Sequence, residues 1–187
     1  MATQLNELRD QVAVIDREIV AALAQRSRFR CPAQPCPAPS ATPVAAFDDA
    51  ALTALVYADY ARLVAKTIAA HETDADNAAD CAAADGVLVD AVRRRLRVAL
   101  AIARAKAAGQ TPHFRALIQA RDAGELEKAI TQPAVEEQVI ARAVTAAREL
   151  PPDGLSASFP NRVAAIYRDW IIPLARRVQV EALLAGK

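Results

Sequence analysis

Two cations in the segment VRRRLRVALAIARAK, Val92 to Lys106, are spaced so that they could bind one anion together. Arg95 and Lys106 are eleven residues apart in the sequence. Eleven residues are close to three whole turns of an α-helix, so the two side chains share one face, about 16 Å apart along the axis. Apolar residues surround them on that face: Leu88, Val92, Ala99 and Ile102. We therefore predict that Arg95 and Lys106 point into the protein.

The other arginines of this segment have a different orientation. On the same helical wheel they fall on or toward the opposite face, and the simplest interpretation is that they are surface arginines. These residues are Arg93, Arg94, Arg97 and Arg104. The segment is therefore not a uniform basic patch.

Inward-pointing cations need a counter-charge, because an unpaired buried charge is strongly unfavourable. Glu136 lies on the apolar face of its predicted helix, and Gln179 lies on the apolar face of the last predicted helix. With Arg95 and Lys106, these side chains outline a polar pocket in an apolar interior. Two interpretations stay open: Glu136 forms a structural ion pair with Lys106 or Arg95, or the cations bind an anionic ligand.

The composition predicts an all-α fold that positions these residues. The chain is 53% hydrophobic, has only five glycines and is rich in alanine, the strongest helix former. Helical periodicity predicts a bundle of about six helices. The predicted segments are 4–27, 47–71, about 87–108, one or two short helices within 111–130, one that begins at TQPAVEEQV, and about 161–184 with a kink at Pro173.

We expect a single domain with an internal linker. Residues 1–30 form an N-terminal helix, residues 31–46 a proline-rich linker, and residues 47–187 the helical core that the first helix joins. The acidic segment ETDADNAADCAAADG reads as a break between helices. The cysteines Cys31, Cys36 and Cys81 are interpreted as loop thiols without a role, since CPAQPC lacks the further ligands of a zinc site.

The charge balance and the distribution of apolar residues argue against nucleic acid and membrane as partners. The 23 cations and 22 anions nearly cancel, whereas nucleic-acid binders usually carry a basic excess, so we expect no nucleic-acid partner. Nowhere do about 18 apolar residues run together, and no membrane partner is expected. The N-terminus MATQLNELRDQVAVIDREIV lacks the hydrophobic stretch of a signal peptide, which favours a cytoplasmic location.

Four segments resemble the all-helical (AroQ-type) chorismate mutases. LVDAVRRRLRVALAIARAK, followed by GQTP, is similar to the first active-site helix of that family, especially in its exported subclass. QPAVEEQVIARAV resembles the second helix, and GLSASFPNRVAAIYRDWIIPLARRVQVEAL the third. LNELRDQVAVIDREIVAALAQR is similar to the N-terminal half of the first helix in cytoplasmic members. The first-helix signature is thus represented twice.

The resemblance implies a chorismate-mutase-like bundle and a set of site residues. The catalytic residues it implies are Arg95, Lys106, Glu136 and Gln179. Arg9 and Arg26 are the arginines of the N-terminal segment and are implied to bind substrate. Either a long insertion splits the first helix, or Arg9 reaches the pocket of a partner chain in a homodimer. Departures from the family pattern occur at Gln132, Val135, Pro173 and Ala175.

The implied reaction is the rearrangement of chorismate, a small dianion, to prephenate in aromatic amino-acid biosynthesis. It requires no cofactor and no metal, and none is expected. Two alternatives are an isochorismate pyruvate lyase-like activity, which would use nearly the same pocket, and a catalytically silent helical module that binds a partner through the seam from Leu5 to Leu23.

Overall fold

The computed structural model describes residues 2–29, 47–68, 78–109, 112–152 and 154–186, and within these ranges the chain is helical and contains no strand. The predicted all-α class is confirmed. The helices are α1 (Ala2–Ser27), α2 (Asp49–Ile68), α3 (Ala78–Ala108), α4 (Pro112–Ala120), α5 (Ala123–Ile130), α6 (Pro133–Glu149), α7 (Phe159–Ile166) and α8 (Ile172–Leu184), with a π-helical turn, Tyr167–Ile171, between the last two. The predicted linker, 31–46, lies outside the described residues.

The pairing of α1 with α3 is the most extensive helix contact of the bundle. Two buried ion pairs join these helices, Arg26 with Asp85 at 2.5 Å and Asp16 with Arg95 at 2.7 Å. The residue numbers rise on α1 as they fall on α3, so the two helices are antiparallel. The main apolar core lies around this pair and includes Ile19, Leu23, Leu88 and Leu96 among its fully buried side chains.

The seam on α1 that could have bound a partner is covered by the chain itself. Val12, Ile19 and Leu23 are buried, and α1 packs against α3 and α6. Leu5 and Leu8 are half-buried at the N-terminal end. Because the protein's own helices occupy this face, the binding-module alternative loses its main argument.

Helix α3 begins earlier than the sequence predicts. It starts at Ala78, so the C-terminal part of the presumed acidic break is helical. The reason is the segment AADCAAAD, in which alanine supplies strong helix propensity and the acidic residues favour the N-terminal turns. Cys81 is buried on this helix, and its interpretation as a loop thiol was wrong. Cys31 and Cys36 lie outside the described residues.

A widened helical turn lies immediately before Pro173, the position at which a kink was predicted. Pro173 has no backbone N–H, so the carbonyl of Asp169 loses its α-helical donor. Just before it, the Ile172 N–H bonds to the Tyr167 carbonyl five residues back, which defines the π turn. The helical path from Phe159 to Leu184 thus continues without a break. Tyr167, the first residue of the π turn, is fully buried.

Two short helices follow α3, within the range where one or two were predicted. Asp122 caps α5 by accepting a hydrogen bond from the Glu125 N–H at 3.0 Å. The buried Leu126 and Ile130 of α5 form a small apolar cluster with residues of α3 and α8. This cluster fixes the end of α5 beside the ends of those two helices.

The four arginines predicted to face outward do so. Arg97 and Arg104 are exposed, while Arg93 and Arg94 are half-buried at the edge of α3. Three of them form ion pairs with carboxylates on neighbouring turns or helices: Arg93 with Asp49 and Asp90, Arg94 with Glu18 and Asp90, and Arg97 with Asp49. These pairs compensate much of the positive charge of the segment.

Replacing Asp85 should strongly destabilise the bundle, because it leaves the Arg26 charge buried without its counter-ion. We expect Asp85→Ala to lower the free energy of unfolding by about 3 to 5 kcal/mol, or roughly 6 to 20 °C in Tm for a chain of this size. Differential scanning calorimetry measures this shift. The exposed Asp10→Asn on α1 is the control and should change stability by under about 0.5 kcal/mol. Equal shifts for both variants would contradict the assignment.

Candidate active site

One cavity of about 250 Å³ collects most of the predicted site residues. Arg95 and Lys106 reach it from α3, Glu136 from α6 and Gln179 from α8. Arg9 reaches the same cavity from α1 of the same chain. Its wall also contains apolar side chains from five helices: Leu5, Val12, Ala99, Ile102, Ile130, Val135, Val139, Ile172 and Ala175.

The antiparallel pairing of α1 and α3 explains why Arg9 and Lys106 meet. From the Asp16–Arg95 pair, two turns toward the N-terminus of α1 lead to Arg9, and three turns toward the C-terminus of α3 lead to Lys106. The cavity therefore opens at the end of the bundle where these two helix ends coincide. The sequence left two explanations for the repeated first-helix signature: an insertion that splits the helix, or an Arg9 that enters the pocket of a partner chain. This placement favours the first explanation, because Arg9 lines the cavity of its own chain.

Arg95 is buried, with only 6% of its surface exposed. Its Nε–H donates to Asp16 Oδ1 at 2.7 Å, and its guanidinium carbon lies 6.0 Å from the centre of the Tyr167 ring. No other hydrogen bond to Arg95 occurs among the described residues, so both terminal nitrogens remain for a group in the cavity. A planar guanidinium with two such donors suits a carboxylate.

Lys106 lies half-buried on the same face of α3, as its helical phase predicts. Its Nζ donates to the Ile130 carbonyl at 3.2 Å, at the end of α5. Burial lowers the pKa of Lys106, and the nearby Arg9 charge lowers it further, while Glu136 acts in the opposite direction. The ammonium is thus a poorly compensated charge, and an anion beside it would relieve the cost of burying it.

Glu136 forms neither of the two structural pairs that the sequence left open. Its Oε1 is 3.5 Å from Arg176 Nε, and Arg176 also approaches Glu127 Oε1 at 3.4 Å. Arg95 is paired with Asp16 instead. The interpretation of Glu136 as the buried partner of Lys106 or Arg95 is therefore wrong in the described structure. Among the described residues, the counter-charge of Glu136 is Arg176, which donates its hydrogen bond to Glu127 instead.

Arg26 is the predicted site residue that the structure places elsewhere. It is fully buried at the far end of the α1–α3 pair, where its Nε donates to Asp85 and the Tyr60 hydroxyl donates to the same carboxylate oxygen. Burial disfavours the Arg26 charge, but the hydrogen bond and charge of Asp85 outweigh this and raise its pKa. A substrate-binding role for Arg26 is thus corrected to a structural one. Arg26 lies on the same helix as Arg9, but at the opposite end.

Several cavity residues were not selected from the sequence. Arg142 lines the cavity from α6 and Arg176 from α8. Arg176 precedes Gln179 by three residues, so helical phase alone could have indicated it. Asp16 was also missed as a site component, although an acidic residue one turn after Val12 on a buried face is an unusual feature.

The positions that depart from the family pattern cluster at the cavity. Gln132, Val135 and Ala175 all line it, and the Pro173 ring lies two residues before Ala175. Gln132 and Gln138 add their amide groups to that of Gln179 on the cavity wall. These departures therefore bear directly on how a ligand would be held.

The charge of the cavity defines the class of ligand it suits. Its wall carries five cations and one carboxylate, namely Arg9, Arg95, Lys106, Arg142 and Arg176 against Glu136. Among the described residues, Arg9, Lys106 and Arg142 form no ion pair. Its volume is below the usual range of about 300 to 1,000 Å³ for drug-sized ligands. The site therefore fits a small, compact molecule with more than one negative charge.

The chain belongs to the chorismate mutase type II family, whose model matches residues 78–180. The match covers more than half of the chain and includes α3, α6 and most of α8. Arg95, Lys106, Glu136 and Gln179 all lie inside it. The suspected resemblance to the all-helical chorismate mutases is confirmed.

Related proteins in other organisms are named chorismate mutases. A chloroplastic chorismate mutase of Petunia hybrida is 34% identical over 124 residues, which are 60% of this chain and 38% of the relative. The chorismate mutase of Schizosaccharomyces pombe is 29% identical over 132 residues, 67% of this chain and 53% of the relative. The chain thus spans about two fifths to one half of the length of these relatives.

Solved structures confirm the fold over nearly the whole chain. The chorismate mutase of Candida albicans in complex with L-tryptophan superposes with a TM-score of 0.77 at 18% identity and covers 96% of this chain and 90% of that one. AtCM1 with tyrosine bound in its allosteric site gives 0.76 at 19% identity and covers 98% and 96%. At this level of sequence identity, the superposition shows similarity of fold alone.

Anion binding in the cavity should weaken at alkaline pH through Lys106. A bound anion favours the protonated amine, so affinity is complete below the Lys106 pKa of the free protein and falls as the pH rises through it. Because that pKa is lowered, the loss should occur below the ordinary lysine value of about 10.4. Calorimetric titration with a non-reacting cyclohexene dicarboxylate between about pH 7 and pH 10 measures this.

Lys106→Arg is the matched control for this titration, because its guanidinium stays charged throughout the range. The alkaline loss of affinity should disappear in that variant. An identical pH dependence in the wild type and the variant would contradict the role of Lys106 as an anion ligand.

Proposed function

We propose that this protein is a chorismate mutase, an isomerase that rearranges chorismate to prephenate. The observation that carries the proposal is the convergence of Arg9, Arg95, Lys106, Glu136 and Gln179 on one cavity with a cationic excess. Membership of the chorismate mutase type II family supports it. Chorismate is a small molecule with two carboxylates, and the cationic cavity suits a small ligand with more than one negative charge.

The rearrangement is unimolecular and needs no nucleophile. The enzyme has to hold a compact conformer of the dianion and to stabilise the negative charge that grows on the ether oxygen as its C–O bond breaks. A C–C bond forms in the same step, so electrons are redistributed within the substrate. Fixed cations and hydrogen-bond donors in a small cavity can supply both contributions.

Each site residue has a role that follows from its chemistry. Arg95 and Arg9 bind carboxylates, the former through its two terminal nitrogens. Lys106 and the Gln179 amide donate to the ether oxygen. Glu136, whose Oε1 lies 3.5 Å from Arg176 Nε, accepts a hydrogen bond from the ring hydroxyl. Arg142 lies at the cavity wall and adds to the positive field.

The lyase alternative differs from the mutase in its substrate and in its products. Isochorismate pyruvate lyase-like chemistry would release pyruvate from a closely related dianion in nearly the same pocket. Family membership favours the mutase. Incubation with chorismate and with isochorismate, followed by separate assays for prephenate and for pyruvate, distinguishes the two activities.

Removing the cation at the ether oxygen should abolish most of the activity. Loss of one such donor costs roughly 3 to 4 kcal/mol of barrier, or about a 10²- to 10³-fold fall in kcat. Loss of the conjugated-diene absorbance of chorismate follows the reaction with the wild type and with Lys106→Ala. The control is Lys128→Ala, which removes an exposed lysine on α5 and should leave the rate unchanged. If wild type and Lys106→Ala are equally inert, the proposed function is wrong.

A cytoplasmic location and a homodimer stay predictions from the sequence and its family resemblance. Among the described helices, none is long and apolar enough to cross a bilayer. Since α1 of one chain supplies Arg9 to its own cavity, a dimer is not needed to complete the site. Light scattering during gel filtration should give twice the chain mass of 19.9 kDa if the homodimer forms. The mass of a single chain would contradict it.

A further inference from the structure

Asp16 is a buried carboxylate beside the cavity, and the proposed reaction assigns it no role. Asp16 is 2% exposed, and it approaches the cavity only through Arg95. Its Oδ1 accepts the Arg95 Nε–H at 2.7 Å and the Tyr167 hydroxyl at 3.1 Å, while Oδ2 has no hydrogen-bond partner among the described residues. A buried carboxylate with an unsatisfied oxygen is costly, so its retention calls for a physical reason.

We infer that Asp16 is a positioning residue that aims Arg95 at the substrate, with Tyr167 fixing Asp16 in turn. This inference rests on the proposed function. By occupying Nε, Asp16 sets the plane of the guanidinium and leaves Nη1 and Nη2 for an end-on contact with a substrate carboxylate. Asp16 itself touches no substrate.

The geometry around Tyr167 explains how the carboxylate is held. The hydroxyl donates to the Asp16 carboxylate and also lies 3.2 Å from the Asp16 backbone carbonyl. Burial raises the pKa of Tyr167 well above its ordinary value, with the Asp16 charge adding to the effect, so the phenol remains a donor. The ring lies beside the Arg95 guanidinium, 6.0 Å away. Tyr167 therefore contacts both members of the ion pair.

The π turn connects this arrangement to the far wall of the cavity. Tyr167 is its first residue, and Gln179 follows on α8, the next part of the same helical path. A long arginine side chain has many rotamers, and a clamp that is already ordered loses less entropy when the substrate binds. Asp16 and Tyr167 thus pre-organise the cation before the dianion arrives.

A double-mutant cycle tests this inference. Asp16→Ala should reduce kcat/KM for chorismate by about 10- to 100-fold, because a misaimed clamp costs this order of magnitude. Most of the effect should be in KM, since a carboxylate clamp acts on the ground state and transition state alike. In an Arg95→Ala background the same change should have less than about a 2-fold effect, because Asp16 acts through Arg95.

The matched control is Asp85→Asn, a substitution at the other buried ion pair between α1 and α3. It should lower Tm but leave KM unchanged at a temperature where the variant is folded. Asp16→Asn and Tyr167→Phe are milder changes and should raise KM by smaller factors, even if Asp16→Ala does not fold. A KM unchanged in both, or an undiminished effect of Asp16→Ala without Arg95, would overturn the inference.

Binding separates this inference from the proposed function. If the wild type does not convert chorismate, the proposed function fails, and calorimetry with the cyclohexene dicarboxylate still tests the positioning role. A weaker Kd in Asp16→Asn than in the wild type supports Asp16 as the residue that orients the clamp. An equal Kd, or no binding of the dicarboxylate by the wild type, would overturn the inference.

Discussion

Two buried ion pairs of opposite polarity fix the register of α1 against α3, and the cavity depends on that register. On each helix an aspartate precedes an arginine by ten residues, Asp16 to Arg26 and Asp85 to Arg95. In the antiparallel arrangement each aspartate meets the arginine of the other helix. A slip of one turn would leave four charges buried and unpaired, which the interior does not tolerate.

The consequence of this register is an uneven distribution of charge along the helix pair. At the Arg26 end the cation is neutralised by Asp85, whose carboxylate also accepts a hydrogen bond from the Tyr60 hydroxyl, so that end is structural. At the other end Arg9 and Lys106 face the cavity without carboxylate partners among the described residues. Burial and the nearby Arg9 charge lower the pKa of Lys106, and the Glu136 charge offsets this only in part. Cations without carboxylate partners lower the stability of the folded protein at the place where an anion would bind. Such a loss of stability is common at functional sites.

Helical phase was sufficient to predict which side chains point inward. It selected Arg95, Lys106, Glu136 and Gln179, which the structure brings to one cavity, and it separated the four outward arginines of α3. These predictions succeeded because each concerns a residue on its own helix, where 3.6 residues per turn determines the face. The same argument could have found Arg176, three residues before Gln179.

Contacts between helices were harder to predict, because they depend on register and on direction. Arg26 shares a helix with Arg9, yet the antiparallel pairing places it beside Asp85 at the opposite end. The partner of Glu136 was misjudged for the same reason, since Arg176 belongs to a helix whose path is set by a π turn before Pro173. The early start of α3 has a local cause, the helix propensity of its alanines together with acidic residues that are favourable near a helix N-terminus.

The most direct test of this account is a crystal structure with a bicyclic ether dicarboxylate that mimics the transition state of the rearrangement. The account predicts one ligand carboxylate at about 3 Å from both terminal nitrogens of Arg95, the Asp16–Arg95 contact unchanged, and the ether oxygen between Lys106 Nζ and the Gln179 amide. A cavity that stays empty at saturating ligand, or a ligand bound away from Arg95, would contradict it.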